Sequence, residues 1–141
     1  PPNQFGQQMQ EQGKKAAVFI PGLYGQFKLP QGGYTSSFAP DIRLLPTRAA
    51  LVAAFNKAVG SSWGSYGPPT YGATQIVLNA MNAACAAHKA TRAAVLANLH
   101  KTTIKNWILG GTFSFTAHGE PKNASYYVFK VSPDGKYTPV P

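Results

Sequence analysis

Residues 63–85 read WGSYGPPTYGATQIVLNAMNAAC, an aromatic loop rich in glycine and proline that leads directly into an alanine-rich segment. The segment from about Tyr71 to His88 predicts a long helix, because its apolar residues recur at helical spacing. The residues expected on its buried side are Ile76, Ala80, Ala83 and Ala84. So many alanines predict close packing against a neighbouring element. Within this segment Cys85 is expected to be buried as a small hydrophobic side chain.

Two further helices are predicted on either side of this segment. Thr91 is expected to cap a helix that runs through His100 and packs beside the long helix. Its expected buried stripe is Val95, Leu96 and Leu99. Before the aromatic loop, Thr47 is expected to cap a helix from Arg48 to Val59 that Gly60 ends.

The remaining segments predict short strands at both ends of the chain. The predicted strands are residues 16–20, 33–38, 111–115 and 125–131, followed by a turn at 133–136 and a last extended piece. A short exposed helix is expected from Asn3 to Gln12, with Gly13 as its stop, and residues 21–33 are expected to form a loop. This order of helices and strands predicts an α/β or α+β fold.

The charge of the chain is strongly basic but evenly distributed. Thirteen Lys and Arg residues against four Asp and Glu residues give a formal charge of +9, and only Lys14 and Lys15 are adjacent. This spacing favours a solvated basic surface. A small basic module that binds nucleic acid or an acidic surface is the alternative interpretation.

No arrangement of reactive side chains predicts catalysis. There are only four carboxylates, and the three histidines lack the spacing of metal ligands. Cys85 and His88 are three residues apart, but neighbours on an alanine-rich helix are poorly placed to form an open cleft. The sequence therefore predicts no enzyme, no catalytic residue, no metal and no cofactor.

The start of the chain has neither an initiator methionine nor a basic and apolar leader. It opens on Pro1 and Pro2, which we interpret as a processed or truncated start. No run of about 18 apolar residues predicts a membrane span.

Three stretches together resemble the closing third of branched-chain amino-acid-binding proteins of the leucine-binding type. They are GGYTSSFAPDIRLLP at 32–46, WGSYGPPTYGATQIVLNAMNAAC at 63–85 and GGTFSFTAHGEPKNASYYVFKVSPDGKY at 110–137. The matching details are Tyr71-Gly72-Ala73, Phe115 with Gly119-Glu120, and Asp134-Gly135-Lys136. The resemblance implies part of a type I periplasmic-binding fold, an α/β architecture of two lobes that close over a ligand.

The resemblance also implies how the chain is divided between the lobes. Residues 1–32 are expected to be the end of one lobe and a loop, and residues 33–112 a partial α/β lobe. Residues 113–141 are expected to be strands that return toward the hinge. The early strands that supply much of the ligand pocket in this family have no counterpart in these residues.

The implied function is that of the extracytoplasmic solute-binding component of an ABC importer. An aromatic residue before the long helix contacts the ligand in this family, and Tyr66 is the matching position, with Trp63 and Tyr71 as further candidates. The alternative for Tyr66 is an aromatic packed in an interface, and for Tyr71 a structural role. The implied partners are an amino acid or similar solute, a membrane permease, and a second copy or companion chain that completes the fold, with no nucleic acid. The implied location is periplasmic or extracellular and membrane-associated. A sensory domain on the same fold remains an alternative.

Overall fold

In the computed structural model the chain forms two compact units. The structure describes residues 2–22, 24 and 29–141, and the side chains of residues 2 and 3 are not described. Unit 1 comprises residues 1–40 and 125–141, and unit 2 comprises residues 41–124. The chain therefore passes from one unit to the other twice, at Pro40–Asp41 and at Ala124–Ser125. Part of the predicted loop at 21–33, residues 23 and 25–28, lies outside the described residues.

Helices and strands come in groups along the described part of the chain. In order they are α1 Pro2–Glu11, β1 Phe19–Ile20, β2 Tyr34–Ser37, 3-10 turns Ile42–Leu44 and Pro46–Arg48, α2 Ala49–Val59, α3 Gly67–Ala86, α4 Arg92–His100, β3 Thr103–Ile104, β4 Phe113–Ser114, β5 Tyr127–Val131 and β6 Tyr137–Val140.

Unit 1 is built on a four-stranded mixed sheet. The strand order is β1-β2-β5-β6, with β1 parallel to β2 and the other two pairs antiparallel. The centroid of the buried Tyr24 ring lies 4.1 Å from that of Phe129 and 5.0 Å from that of Tyr137. The fully buried Thr35 hydroxyl donates to the Ile20 carbonyl at 2.8 Å, which removes the cost of burying it. The strand predicted over 16–20 is shorter than expected, because only its last two residues pair with β2.

The end of α1 confirms the predicted glycine stop. Gly13 has φ +68, a left-handed conformation that glycine adopts without steric cost. Its N–H donates to the Gln10 carbonyl, and the N–H of Lys14 donates to the Met9 carbonyl, both at 2.9 Å. These two bonds form a Schellman motif, which satisfies carbonyls at the helix end.

Helix α3 begins earlier than the sequence predicts. The prediction placed its start at Tyr71, but the helix begins at Gly67, with Pro68 and Pro69 in the first turn. Proline fits there because the first-turn N–H groups have no partner within the helix. Tyr71 therefore lies one turn inside α3. No helix in the described part of the chain, α3 included, is long and apolar enough to cross a membrane.

The buried side of α3 also differs in part from the prediction. Its buried residues recur every four positions: Pro68, Gly72, Ile76, Ala80 and Ala84. Ile76, Ala80 and Ala84 were expected there, but Ala83 is exposed. The expectation of a buried Cys85 was wrong, because this thiol lies on the opposite, exposed side of the helix.

The helices of unit 2 are capped in two different ways. Thr91 caps α4 as predicted, since its hydroxyl accepts from the Ala94 N–H at 3.2 Å. The prediction that Thr47 caps α2 was wrong, because Thr47 lies inside a 3-10 turn and α2 has no side-chain cap. Arg48 instead donates to the carbonyls of Trp107, at 2.6 Å, and Ile108, at 3.2 Å.

The core of unit 2 gathers residues from across its length. It consists of Ile42, Ile76, Ile104, Trp107, Ile108 and Phe113. Helices α3 and α4 pack as neighbours, as predicted, although Leu96 of the expected α4 stripe is 58% exposed. Strand β3 has no counterpart in the prediction. It pairs antiparallel with β4 over two residues. Strand β4 lies within the strand predicted at 111–115.

Replacing Gly72 by alanine should destabilise unit 2. A Cβ atom at this position would lie 2.6 Å from Cζ2 of Trp107 and 2.9 Å from Cγ2 of Ile108, so the core would have to shift. Overpacking of this kind costs about 1–3 kcal/mol, and the better helix propensity of alanine returns about 1 kcal/mol. We expect a lower urea-unfolding midpoint for Gly72→Ala in the longest natural polypeptide that contains these 141 residues.

Gly64→Ala is the matched control for this substitution. A Cβ atom there meets nothing within 4 Å, so its unfolding midpoint should stay close to that of the parent. Equal midpoints for the two variants would show that the Trp107 ring does not pack on α3.

Candidate functional site

The aromatic loop between α2 and α3 contains a half-buried tryptophan with a hydrogen-bonded indole. The Trp63 Nε1–H donates to Oδ1 of Asn56 at 2.6 Å. The ring of Phe55, one position earlier on α2, meets the indole edge-on at a centroid distance of 5.3 Å. Two neighbouring residues of one helix therefore hold the indole by its polar edge and by a ring contact.

An arginine and an aspartate complete the surroundings of this tryptophan. The guanidinium carbon of Arg43 lies 4.9 Å from the centre of the Trp63 ring, within cation–π distance. Arg43 also forms a two-pronged ion pair with Asp41, with Nε and Nη2 each 2.8 Å from a carboxylate oxygen. The Asp41 side chain is only 5% exposed, and Oδ1 accepts from the Arg43 N–H at 3.0 Å. We call Asp41, Arg43, Phe55, Asn56 and Trp63 the tryptophan clamp.

The two predicted tyrosines lie at the start of α3, near this clamp. Tyr66 occupies the N-cap position of α3, just before its first residue Gly67. Its carbonyl accepts from the Thr70 N–H at 3.0 Å. Its side chain is 50% exposed. Tyr71 is 48% exposed, and its ring centroid is 6.3 Å from that of Phe55. Phe55 thus contacts both Trp63 and Tyr71. Tyr66 lies half-exposed just before α3.

Gly67, which follows Tyr66, lies against the rings of Phe55 and Trp63. A Cβ atom on Gly67 would lie 3.7 Å from the Phe55 ring and 3.8 Å from the Trp63 ring, in ordinary van der Waals contact. A methyl group would therefore fit at this position, and the loop does not require glycine there.

Of the five clamp residues, only Trp63 was predicted from the sequence as a site residue. Phe55 and Asn56 fall within the helix predicted at 48–59, and Asp41 and Arg43 within the stretch 32–46, without a predicted role in the site. One signal was available, because a buried indole N–H requires an acceptor and Asn56 lies seven residues before Trp63. The partnership of Arg43 with Trp63 depends on the fold, which brings residues 20 positions apart together.

The clamp offers mainly apolar and amide contact surface. Its single cation, Arg43, is already neutralised by Asp41, and the remaining clamp residues are aromatic or amide side chains. Aromatic faces of this kind bury aliphatic or aromatic groups of a ligand. Among residues 2–22, 24 and 29–141, no cluster of three or more His, Cys, Asp or Glu side chains could hold a metal ion.

Unit 1 contains a separate, shallow cleft of about 220 Å³. Residues at the end of α1, including Met9 and Gln10, line it together with Lys14, Lys15 and the backbone around Gly33. The sequence analysis did not foresee it. Its volume is below the roughly 300–1,000 Å³ of ordinary small-molecule pockets, and none of the predicted site residues lines it.

The chain belongs to the periplasmic binding protein family, whose model matches residues 3–136. This confirms the family that the sequence resembles. No curated protein matches the sequence.

Solved structures show the same fold. The chain is similar to an ABC transporter substrate-binding protein from Desulfitobacterium hafniense, with 18% identity over 97% of this chain and a TM-score of 0.73. A structure from the same organism in complex with Leu has 17% identity over 97% of this chain and a TM-score of 0.72. A fatty acid ABC transporter substrate-binding protein from Thermomonospora curvata has 21% identity over 96% of this chain and a TM-score of 0.73.

This chain spans only part of each of these proteins. It covers 39% of the length of both Desulfitobacterium chains and 38% of the Thermomonospora chain. The predicted fold class is confirmed: an α/β segment of a type I periplasmic-binding fold.

Asn56→Ala should loosen the aromatic loop. It removes the acceptor of the Trp63 indole N–H, and a part-buried donor left without a partner costs about 1 kcal/mol or more. We expect stronger acrylamide quenching of tryptophan fluorescence in the natural polypeptide, because Trp107 is only 8% exposed and changes little. Lys57→Ala, at the exposed next position of α2, is the control and should leave quenching unchanged. The clamp would be disproved by identical quenching in both variants.

Proposed function

We propose that this chain is part of the solute-binding component of an ABC importer, which captures an amino acid or a similar small solute outside the cytoplasm. The observation that carries the proposal is the family match over residues 3–136, together with a fold shared with substrate-binding proteins over 96–97% of the chain. Because the chain covers 39% or less of their length, the ligand cleft includes residues outside these 141.

The proposed mechanism is capture by closure of two lobes. The chain contributes residues to both units and passes from one to the other at Pro40–Asp41 and Ala124–Ser125. We propose that these two passages form part of the hinge. A ligand that makes more contacts in the closed state shifts the equilibrium toward it by that difference in affinity. The lobe assignment of residues 1–32, 33–112 and 113–141 stays a prediction.

Tyr66 is the proposed ligand contact within this chain. Its half-exposed ring belongs to the residue just before α3, whose carbonyl accepts from the Thr70 N–H. An aromatic face buries the apolar part of a solute without adding charge. Trp63 has its polar edge bonded to Asn56, so we assign it mainly to holding the loop. Tyr71, which contacts Phe55, is the third candidate.

The proposed partners and location follow from this role. A solute-binding component delivers its ligand to a permease, so a membrane permease is the proposed protein partner and a membrane-associated, extracytoplasmic position the proposed location. No catalytic step is proposed. A sensory domain built on the same fold differs only in what is attached to it, and solute uptake by cells that lack the protein separates the two roles.

Tyr66→Ala should weaken solute binding without unfolding the protein. Loss of about 50 Å² of apolar contact corresponds to roughly 1.3 kcal/mol, close to a tenfold rise in Kd. The measurement is isothermal titration calorimetry on the longest natural polypeptide, with L-leucine and octanoate as the probes. Tyr66→Phe should keep most of the affinity, because the ring face remains.

Tyr126→Ala is the matched control for Tyr66. Tyr126 is 83% exposed and belongs to unit 1, so its removal should leave the Kd unchanged. If both tyrosine variants bind a solute as the parent does, the role of Tyr66 is wrong while solute binding stands. If the parent polypeptide binds neither probe, a wider panel of amino acids and carboxylates decides whether the proposed function stands.

The basic charge keeps nucleic-acid binding as the second candidate, and salt titration tests it. A chain of charge +9 whose basic residues are scattered should show no defined binding of a 20-nucleotide DNA at about 150 mM salt. The measurement is fluorescence anisotropy between 50 and about 300 mM salt. Submicromolar binding with a steep linear fall of log affinity against log salt would instead support a nucleic-acid module.

A further inference from the structure

Trp63 is held in unit 2 by contacts from several parts of the chain. Its indole N–H donates to Asn56 and its ring edge meets Phe55, both on α2. The ring also packs against the buried core of the unit. The guanidinium carbon of Arg43, which belongs to the first 3-10 turn, lies 4.9 Å from the centre of the ring. Arg43 therefore adds to the contacts of α2 a restraint from a different element.

A single turn connects Trp63 to the proposed ligand contact Tyr66. The Gly67 N–H donates to the Gly64 carbonyl at 3.1 Å, which closes a turn over residues 64–67. Tyr66 is the third residue of this turn, with φ -84 and ψ -16, close to the values of a type I turn. Gly64 follows Trp63 directly, so the place of the indole sets where the turn begins and where the Tyr66 ring lies.

The guanidinium of Arg43 is itself held in one orientation. Its Nε and Nη2 each lie 2.8 Å from a carboxylate oxygen of Asp41. The Asp41 side chain is 5% exposed and that of Arg43 41%, so the carboxylate is the fixed partner of the pair. A two-pronged bond of this kind fixes the plane of the guanidinium as well as its position. A lysine at this position would keep the charge but would lose both the fork and the flat face.

We infer that Arg43 is a positioning residue for solute binding, which acts through Trp63 on the turn that carries Tyr66. The inference rests on the proposed function, in which Tyr66 contacts the solute. Without the oriented guanidinium the aromatic loop populates more arrangements, and only some of them present the Tyr66 ring to a solute. The apparent Kd rises in inverse proportion to the fraction of molecules that is competent to bind. A loss of orientation at Arg43 is therefore measured as a loss of affinity.

Arg43→Lys tests this role in the longest natural polypeptide, and Arg92→Lys is the matched control. Arg92 is the exposed first residue of α4, so the same replacement there should leave the Kd unchanged. The titrant in isothermal titration calorimetry is L-leucine or octanoate, or a member of the wider panel of amino acids and carboxylates if the parent binds neither. We expect Arg43→Lys to raise the Kd about threefold, the scale of an exposed cation–π contact and less than the roughly tenfold effect of Tyr66→Ala.

The same replacement in a protein that already carries Tyr66→Ala distinguishes positioning from a general loss of structure. If Arg43 acts through Tyr66, Arg43→Lys should no longer change the Kd in that background. An equal rise in Kd in both backgrounds would overturn the inference, as would a parent-like Kd for Arg43→Lys alone or an equal rise for Arg92→Lys. In these three outcomes the parent binds solute, so the proposed function stands. A parent that binds no solute of the wider panel overturns the proposed function, and the inference with it.

Discussion

The close approach of the Trp107 indole to α3 is the contact on which unit 2 depends. It is possible only because Gly72 presents no side chain at that point. Trp107 and Ile108 then enter the core beside Ile76, and Arg48 binds their carbonyls from the start of α2. One missing Cβ atom therefore sets the position of α3 against the segment after α4, and through Arg48 the position of α2.

The aromatic loop takes its place from that arrangement. The loop that connects α2 and α3 contains Trp63. The Trp63 ring contacts Phe55 of α2, and its indole N–H donates to Asn56. Arg43 lies over the Trp63 ring and is held by the nearly buried Asp41 carboxylate. Asp41 is the first residue of unit 2 after the chain leaves unit 1. The same residues thus hold the loop that presents Tyr66 and the point at which the chain enters the unit.

Much of the local structure could be predicted from the sequence because its causes are local. Gly13 ends α1 through a left-handed conformation, and Thr91 caps α4 through its own hydroxyl. The start of α3 was misplaced because two prolines looked like loop residues, although the first turn of a helix accepts them. Within the site, the three aromatic candidates were named from the sequence, whereas their partners Arg43 and Asn56 were not.

The sequence by itself determined the family, the order of helices and strands, and where several of them end, since periodicity and caps act within a few residues. Only the tertiary structure decided which side of α3 is buried. Leucine, methionine and cysteine on one side and small residues on the other are both apolar, and periodicity does not distinguish them. The side with the small residues is buried because Trp107 and Ile108 approach it closely. Cys85, on the opposite side of α3, is therefore exposed in unit 2. Contacts between distant residues make such choices, and a sequence does not display them.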